Sequence, residues 1–146
     1  IFMRKILIFI YFIFAYTIAY GDSLEDFHKR LDKYSKAADN KFQNAGDTTS
    51  MVEAYTDYYI ILDKELNSAY KLLMNNLVGN KEAMSSLKAS QLKWIEYRDK
   101  EFIFINEAYN SGGTLDFIYR SSSYPKIIIQ RIEELLSIET GMESDG

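Results

Sequence analysis

Few residues in this chain are equipped for chemistry. One histidine, His28, and no cysteine remove thiol nucleophiles, cysteine-ligated zinc and disulfides, and leave no second histidine for a catalytic or metal-binding pair. His28 stands beside Lys29 in a charged segment and reads as a solvent-facing residue. The remaining candidates for acid–base work are carboxylates at helical spacing, Glu96 with Asp99 and Glu133 with Glu134. Glycosidic chemistry needs two carboxyls held across a cleft with one pKa raised, so acids on a single helix face read as solvated charge. No enzymatic activity, cofactor or metal is expected.

Polar residues set inside apolar stripes are more informative. Between Ser50 and Val78, Met51, Tyr55, Tyr58, Leu62, Leu66, Tyr70, Leu73 and Leu77 recur at near-heptad spacing without an interrupting glycine or proline, which predicts a long helix. A second stripe, from about Lys81 to Tyr109, runs through Met84, Leu87, Gln91, Trp94, Arg98, Phe102, Ile105 and Tyr109. Gly79-Asn80 ends the first helix in the left-handed region, and so short a link predicts an antiparallel hairpin. With the turn near residue 80, facing residues have numbers that sum to about 160. Asp63 then falls opposite Arg98, Asn67 opposite Trp94, and Tyr70 opposite Gln91. An unpaired guanidinium in such an interface is costly, and Asp63 offers it a carboxylate. The set reads as a buried polar network that fixes the register of the two helices rather than as a pocket, so Asp63→Ala is expected to lower the melting temperature clearly.

The remaining elements follow from the same periodicity. Leu24, Phe27, Leu31, Tyr34 and Ala38 form the apolar side of an amphipathic helix from Ser23 to about Asn40. Asn44 to Thr49 is a break whose last polar residues can cap the next helix. Asn110-Ser111-Gly112-Gly113-Thr114 is another break, followed by an ambiguous stretch, Leu115–Tyr124, and a closing helix from about Pro125 to Ile138. Seven glycines and one proline in 146 residues, 47% of them hydrophobic, suit one helical domain and not a sandwich or barrel. The expected fold is all-α: a long antiparallel helical hairpin with a packed C-terminal helix and an N-terminal amphipathic helix. The expected divisions are a leader over 1–21, the amphipathic helix over 22–41, the main helical domain over 42–138 and a polar tail over 139–146.

The leader is read from Arg4-Lys5, an uncharged apolar run from Ile6 to Tyr20, and the small-x-small site Ala19-Tyr20-Gly21. These features describe an export signal cleaved before Asp22. The alternative is an uncleaved membrane anchor, the one route by which this chain would touch a membrane. With no cysteine at the cleavage point, a lipoprotein is excluded, and the expected location is periplasmic or secreted. Loss of Arg4 and Lys5 leaves 15 basic against 21 acidic residues, which moves the net charge from −4 to −6. That balance disfavours nucleic acid as a partner.

Asp63-x-x-Leu66-Asn67-x-x-Tyr70, then Leu87-x-x-x-Gln91-x-x-Trp94-x-x-Tyr97-Arg98-Asp99, then Gly112-Gly113-Thr114, resembles the lysozyme inhibitor LprI-like family of small exported bacterial proteins. Asn44-Ala45, Thr48-x-x-Met51, and Arg131 with Leu135 extend the likeness over about residues 42–138. The resemblance adds Asp99 to the polar network. Family members commonly carry cysteines where this chain has Phe42, Ala54 and Phe102, so apolar side chains are expected to fill the space of a disulfide framework, without a cross-link worth about 2–4 kcal/mol.

The resemblance implies a helical binding protein that blocks a lysozyme-type muramidase by protein–protein contact. The alternative, of another class, is a cell-envelope adaptor without inhibitory activity. Because a retaining muramidase cleft holds two carboxylates, an inhibitor is served by a protruding segment that carries a cation and hydroxyl donors. Asn110–Tyr124 fits as such a loop, with Arg120 as the cation, Ser121, Ser122 and Ser123 as donors, and Tyr119 and Tyr124 as anchors. The competing reading of this segment is an ordinary connection between helices.

Overall fold

A computed structural model of the chain describes residues 24–144. The expected leader lies outside the described residues. Four helices make up the described part, α1 (Leu24–Gln43), α2 (Thr48–Asn76), α3 (Lys81–Ala108) and α4 (Thr114–Ser144), with no strand among the described residues. The fold is all-α, as the periodicity predicts.

Local chemistry sets the boundaries. Asp47, in extended conformation, caps α2 by accepting the Ser50 N–H at 2.8 Å. Gly79 takes φ +103°, a left-handed conformation that L side chains rarely adopt, and Asn80 then caps α3 by accepting the Ala83 N–H at 3.0 Å. At the next turn Gly112 has φ +87°. The Asp116 carboxylate accepts the Ser111 hydroxyl at 2.6 Å and the Gly112 N–H at 2.9 Å, and these bonds hold its pKa below the usual carboxylate value.

Contacts between elements give their directions. Arg30 binds Glu65 at 3.0 Å and Lys41 binds Asp57 at 2.6 Å, so α1 runs antiparallel to α2. Asp63 lies 3.6 Å from Arg98, and the Tyr59 and Phe102 rings are 5.8 Å apart, which makes α2 and α3 the expected antiparallel hairpin. Asn76 donates to Glu139 at 3.1 Å across α2 and α4, and Arg131 to Gln91 at 3.1 Å across α4 and α3. Since α4 opposes α3, it runs parallel to α2.

Helix α2 is the common wall. Its stripe Leu62, Leu66, Ala69 and Leu73 lies between the side that meets α1, through Asp57 and Glu65, and the side that meets α3, through Tyr59 and Asp63. The stripe shares one core with Phe27, Leu31 and Ala38 of α1 and with Ile128, Ile132, Leu135 and Leu136 of α4. The backbone of α2 runs beside α4 most extensively and beside α1 next, whereas α3 has little backbone contact with α2 and reaches it with long side chains. Segment 24–43 is therefore a packed element, with Phe27 completely buried.

One part of the expected layout is corrected. The ambiguous stretch before Pro125 is helix, and α4 is continuous from Thr114 to Ser144 with Pro125 inside it. Proline within a helix costs about 3 kcal/mol, because it removes an N–H and crowds the preceding turn. Here Ser121, Pro125, Ile128, Ile132, Leu135 and Glu139 recur at three- and four-residue spacing and are all buried, so the packing of this stripe against α2 offsets that cost. The helix also passes the expected end at Ile138 and buries Glu139 against Asn76.

Completely buried Leu62 and half-exposed Leu92 separate this core from the surface. Leu62→Ala is expected to lower unfolding free energy by about 3 kcal/mol. Leu92→Ala should change it by less than about 0.5 kcal/mol, as read by urea denaturation monitored through helical circular dichroism.

Candidate functional site

The polar residues of the hairpin form a clamp around Trp94. Arg98 is largely buried and donates to Asp99 from Nε at 2.9 Å and from a terminal nitrogen at 2.7 Å, while Asp63 stands 3.6 Å away on α2. Its guanidinium lies 5.6 Å from the Trp94 ring centre, and that of Arg131 lies 5.9 Å from it. Trp94 thus sits in contact with two cations, one from its own helix and one from α4.

The facing pairs expected from the turn arithmetic are met in one case and replaced in two. Asp63 does oppose Arg98. Asn67 instead turns back on its own helix, donating to the Asp63 carbonyl at 2.8 Å, and is exposed. Gln91 accepts from Arg131 Nε, and the same guanidinium donates to Ser90 and Glu134, each at 3.1 Å. Tyr70 and Trp94 pack against the core. Arg131 is the network residue that the facing-pair reading omits. Its signal is the one that marked Arg98, a guanidinium among apolar stripe residues, here Ile128, Ile132 and Leu135.

The acids considered for catalysis stay on helix surfaces. Glu96 accepts from Lys93 at 2.9 Å, Asp99 from Arg98, and Glu134 from Arg131 and Gln130, and Glu133 and His28 are exposed. Among the described residues no group of three His, Asp or Glu side chains is placed to hold a metal ion.

The end of the bundle where α2 and α4 begin and α3 ends is aromatic. An open cleft of about 350 Å³ there is walled by Tyr55, Thr56 and Tyr59 of α2, Phe102 of α3, and Phe117, Ser121 and Tyr124 of α4. Phe102 is in ring contact with Tyr59 at 5.8 Å and with Tyr124 at 4.1 Å, and Tyr124 donates to Asn106 at 2.8 Å. Burial raises the pKa of Tyr55, Tyr59 and Tyr124 above the ordinary phenol value, so all three remain protonated hydroxyl donors at neutral pH.

The segment expected to protrude as a loop is redistributed by its helical conformation. Ser121 is buried against the cleft, and Ser122 and Ser123 donate to the Tyr119 carbonyl at 3.2 and 2.7 Å, so the three serines do not form a row of outward donors. What faces outward is Tyr119, stacked on Tyr109 with ring centres 5.3 Å apart, next to half-buried Arg120. The helix forms because its apolar side, Phe117, Ser121, Pro125 and Ile128, has a core to enter.

Residues 38–135 match the family model described as lysozyme inhibitor LprI. The chain belongs to the LprI family. No curated protein and no solved structure matches it. The LprI match begins late in α1, spans α2 and α3, and ends within the packed stripe of α4, so it takes in both the clamp and the aromatic cleft. The three positions where the family resemblance places cysteines are filled by packing. Phe42 meets Tyr55 at 5.0 Å between ring centres, Ala54 is buried, and Phe102 sits between Tyr59 and Tyr124.

The clamp geometry ranks its members. Arg131 is 9% exposed and holds three polar partners, whereas Asp63 is more than one-third exposed and Arg98 keeps Asp99 without it. Arg131→Ala should lower unfolding free energy by about 2–3 kcal/mol and shift Trp94 emission to longer wavelength. Asp63→Ala should cost less than about 1 kcal/mol, a smaller loss than the facing-pair arithmetic implies.

Proposed function

We propose that this LprI-family protein is an exported, non-enzymatic inhibitor that blocks a lysozyme-type muramidase by protein–protein contact. The family match over two-thirds of the chain carries the reading. The acidic balance, −4 for the whole chain, supports it, because a basic enzyme would be steered towards the protein at low ionic strength. Export rests on the leader-like segment and on the family. The finished leader cleavage and a soluble periplasmic or secreted location belong to the same proposal. Among the described residues no helix is long and apolar enough to cross a membrane.

The contact is assigned to the α3–α4 tip. Tyr119, supported by the stacked Tyr109, gives a rigid aromatic anchor, and Arg120 supplies a cation for an acidic cleft. The adaptor reading has its own support in Leu92, Ile103 and Phe104 on α3, apolar side chains left more than half exposed by the described residues.

The deciding experiment is a cell-wall lysis assay with chicken-type and goose-type lysozymes. Inhibition by the purified protein is expected for at least one of them, and Arg120→Ala should weaken it about tenfold while helical circular dichroism and melting temperature stay unchanged. Inhibition unaffected by Arg120→Ala would remove the tip from the contact. Absence of inhibition in both assays would favour the adaptor.

A further inference from the structure

We infer that the aromatic cleft at the α2–α3–α4 junction is a binding site for a small, neutral aromatic molecule that carries one hydrogen-bonding group, of the phenol or indole class. The site does not depend on muramidase inhibition. Its walls are five aromatic rings, Tyr55, Tyr59, Phe102, Phe117 and Tyr124, and no charged side chain lines it. Ring edges and faces of this kind favour an aromatic guest in edge-to-face or offset contact. Its volume, about 350 Å³, exceeds the roughly 150 Å³ in which a single benzene is held, so two fused rings fit.

Ser121 supplies the second, independent observation. This residue is 92% buried by its 8% exposure and lines the cleft, yet its hydroxyl has no hydrogen-bond partner among the described residues. A serine within a helix ordinarily returns its hydroxyl to a carbonyl one turn back, as Ser122 and Ser123 do towards Tyr119. Among the other cleft hydroxyls, Thr56 is bonded to the Val52 carbonyl at 2.9 Å and Tyr124 to Asn106 at 2.8 Å, while those of Tyr55 and Tyr59 belong to half-buried residues that water can reach. A hydroxyl on a buried residue, open to the cleft in a mainly aromatic wall, is complementary to one hydrogen-bonding group on the guest.

This chemistry excludes other occupants. A sugar ring would bring several hydroxyls against five aromatic rings, more than the few open hydroxyls of this wall can meet, and each one left unmet costs about 1–3 kcal/mol. An acyl chain would gain apolar contact but would leave Ser121 open and make no use of the ring edges. A charged ligand would lose its hydration without meeting a counter-charge.

The test is titration of the purified protein with 2-naphthol, followed by calorimetry and by saturation-transfer NMR. Saturable one-to-one binding is expected, tighter than that of naphthalene, which has the rings without the hydroxyl. Ser121→Ala should weaken 2-naphthol about fivefold and leave naphthalene unchanged, with the melting curve preserved. Ser121→Leu, which fills the cleft, should abolish binding of both. The proposal is overturned if 2-naphthol does not saturate, if Ser121→Ala leaves its affinity unchanged, or if 1-decanol or N-acetylglucosamine binds as tightly. Should Ser121→Leu fail to fold, the comparison of the two ring compounds on the wild type and on Ser121→Ala decides the matter alone.

Discussion

Burial of one face of α2 is the constraint on which the other elements depend. Leu62, Leu66, Ala69 and Leu73 are almost wholly removed from water, and the side chains that cover them come from α1 and α4. Each large apolar residue so buried contributes on the order of 1.5–3 kcal/mol relative to exposure, which gives these helices a docking surface that their own propensity does not supply. The same burial holds Pro125 inside α4. A chain without cysteine must find its stability in such contacts, and here Phe42, Ala54 and Phe102 are packing residues at the places where the family resemblance puts cross-links.

Helix α3 is attached differently. It reaches its neighbours with Arg98, Trp94, Gln91 and Phe102, and the polar ends of Arg98 and Gln91 are paired because the interface partly excludes water. Arg131 satisfies Gln91 and Ser90 from α4, so the clamp ties three helices rather than two. The two ends of the bundle divide accordingly. Aliphatic residues such as Leu73, Leu87, Leu135 and Leu136 fill one end, and tyrosine and phenylalanine gather at the other, where side chains have hydroxyls to offer and a cleft remains open.

The parts legible in sequence were those written as unbroken periodicity or as local turn chemistry. The α2 stripe, the Gly79-Asn80 turn and the antiparallel hairpin required no information from elsewhere in the chain. Asp63 opposite Arg98 followed from turn position alone. Gln91 did not pair as that arithmetic expects, because a third helix brought a charged donor, Arg131, that outcompetes a neutral neighbour. The first turns of α4 were illegible for a related reason: Ser121-Ser122-Ser123 before Pro125 favours a break locally, and only the core already built by α1 and α2 makes helix the better state. The cleft was hidden too, since its walls come from three elements whose spacing is set by packing.

A structure built on α2, with α3 held mainly through long side chains, should not open uniformly. Native-state hydrogen exchange followed by NMR tests this most directly. The slowest amides should fall in α2 between Tyr58 and Leu73 and in α4 between Ile128 and Leu136, with α3 exchanging through smaller openings. Equal protection of α3 and α2, or fast exchange in the centre of α2, would contradict the account.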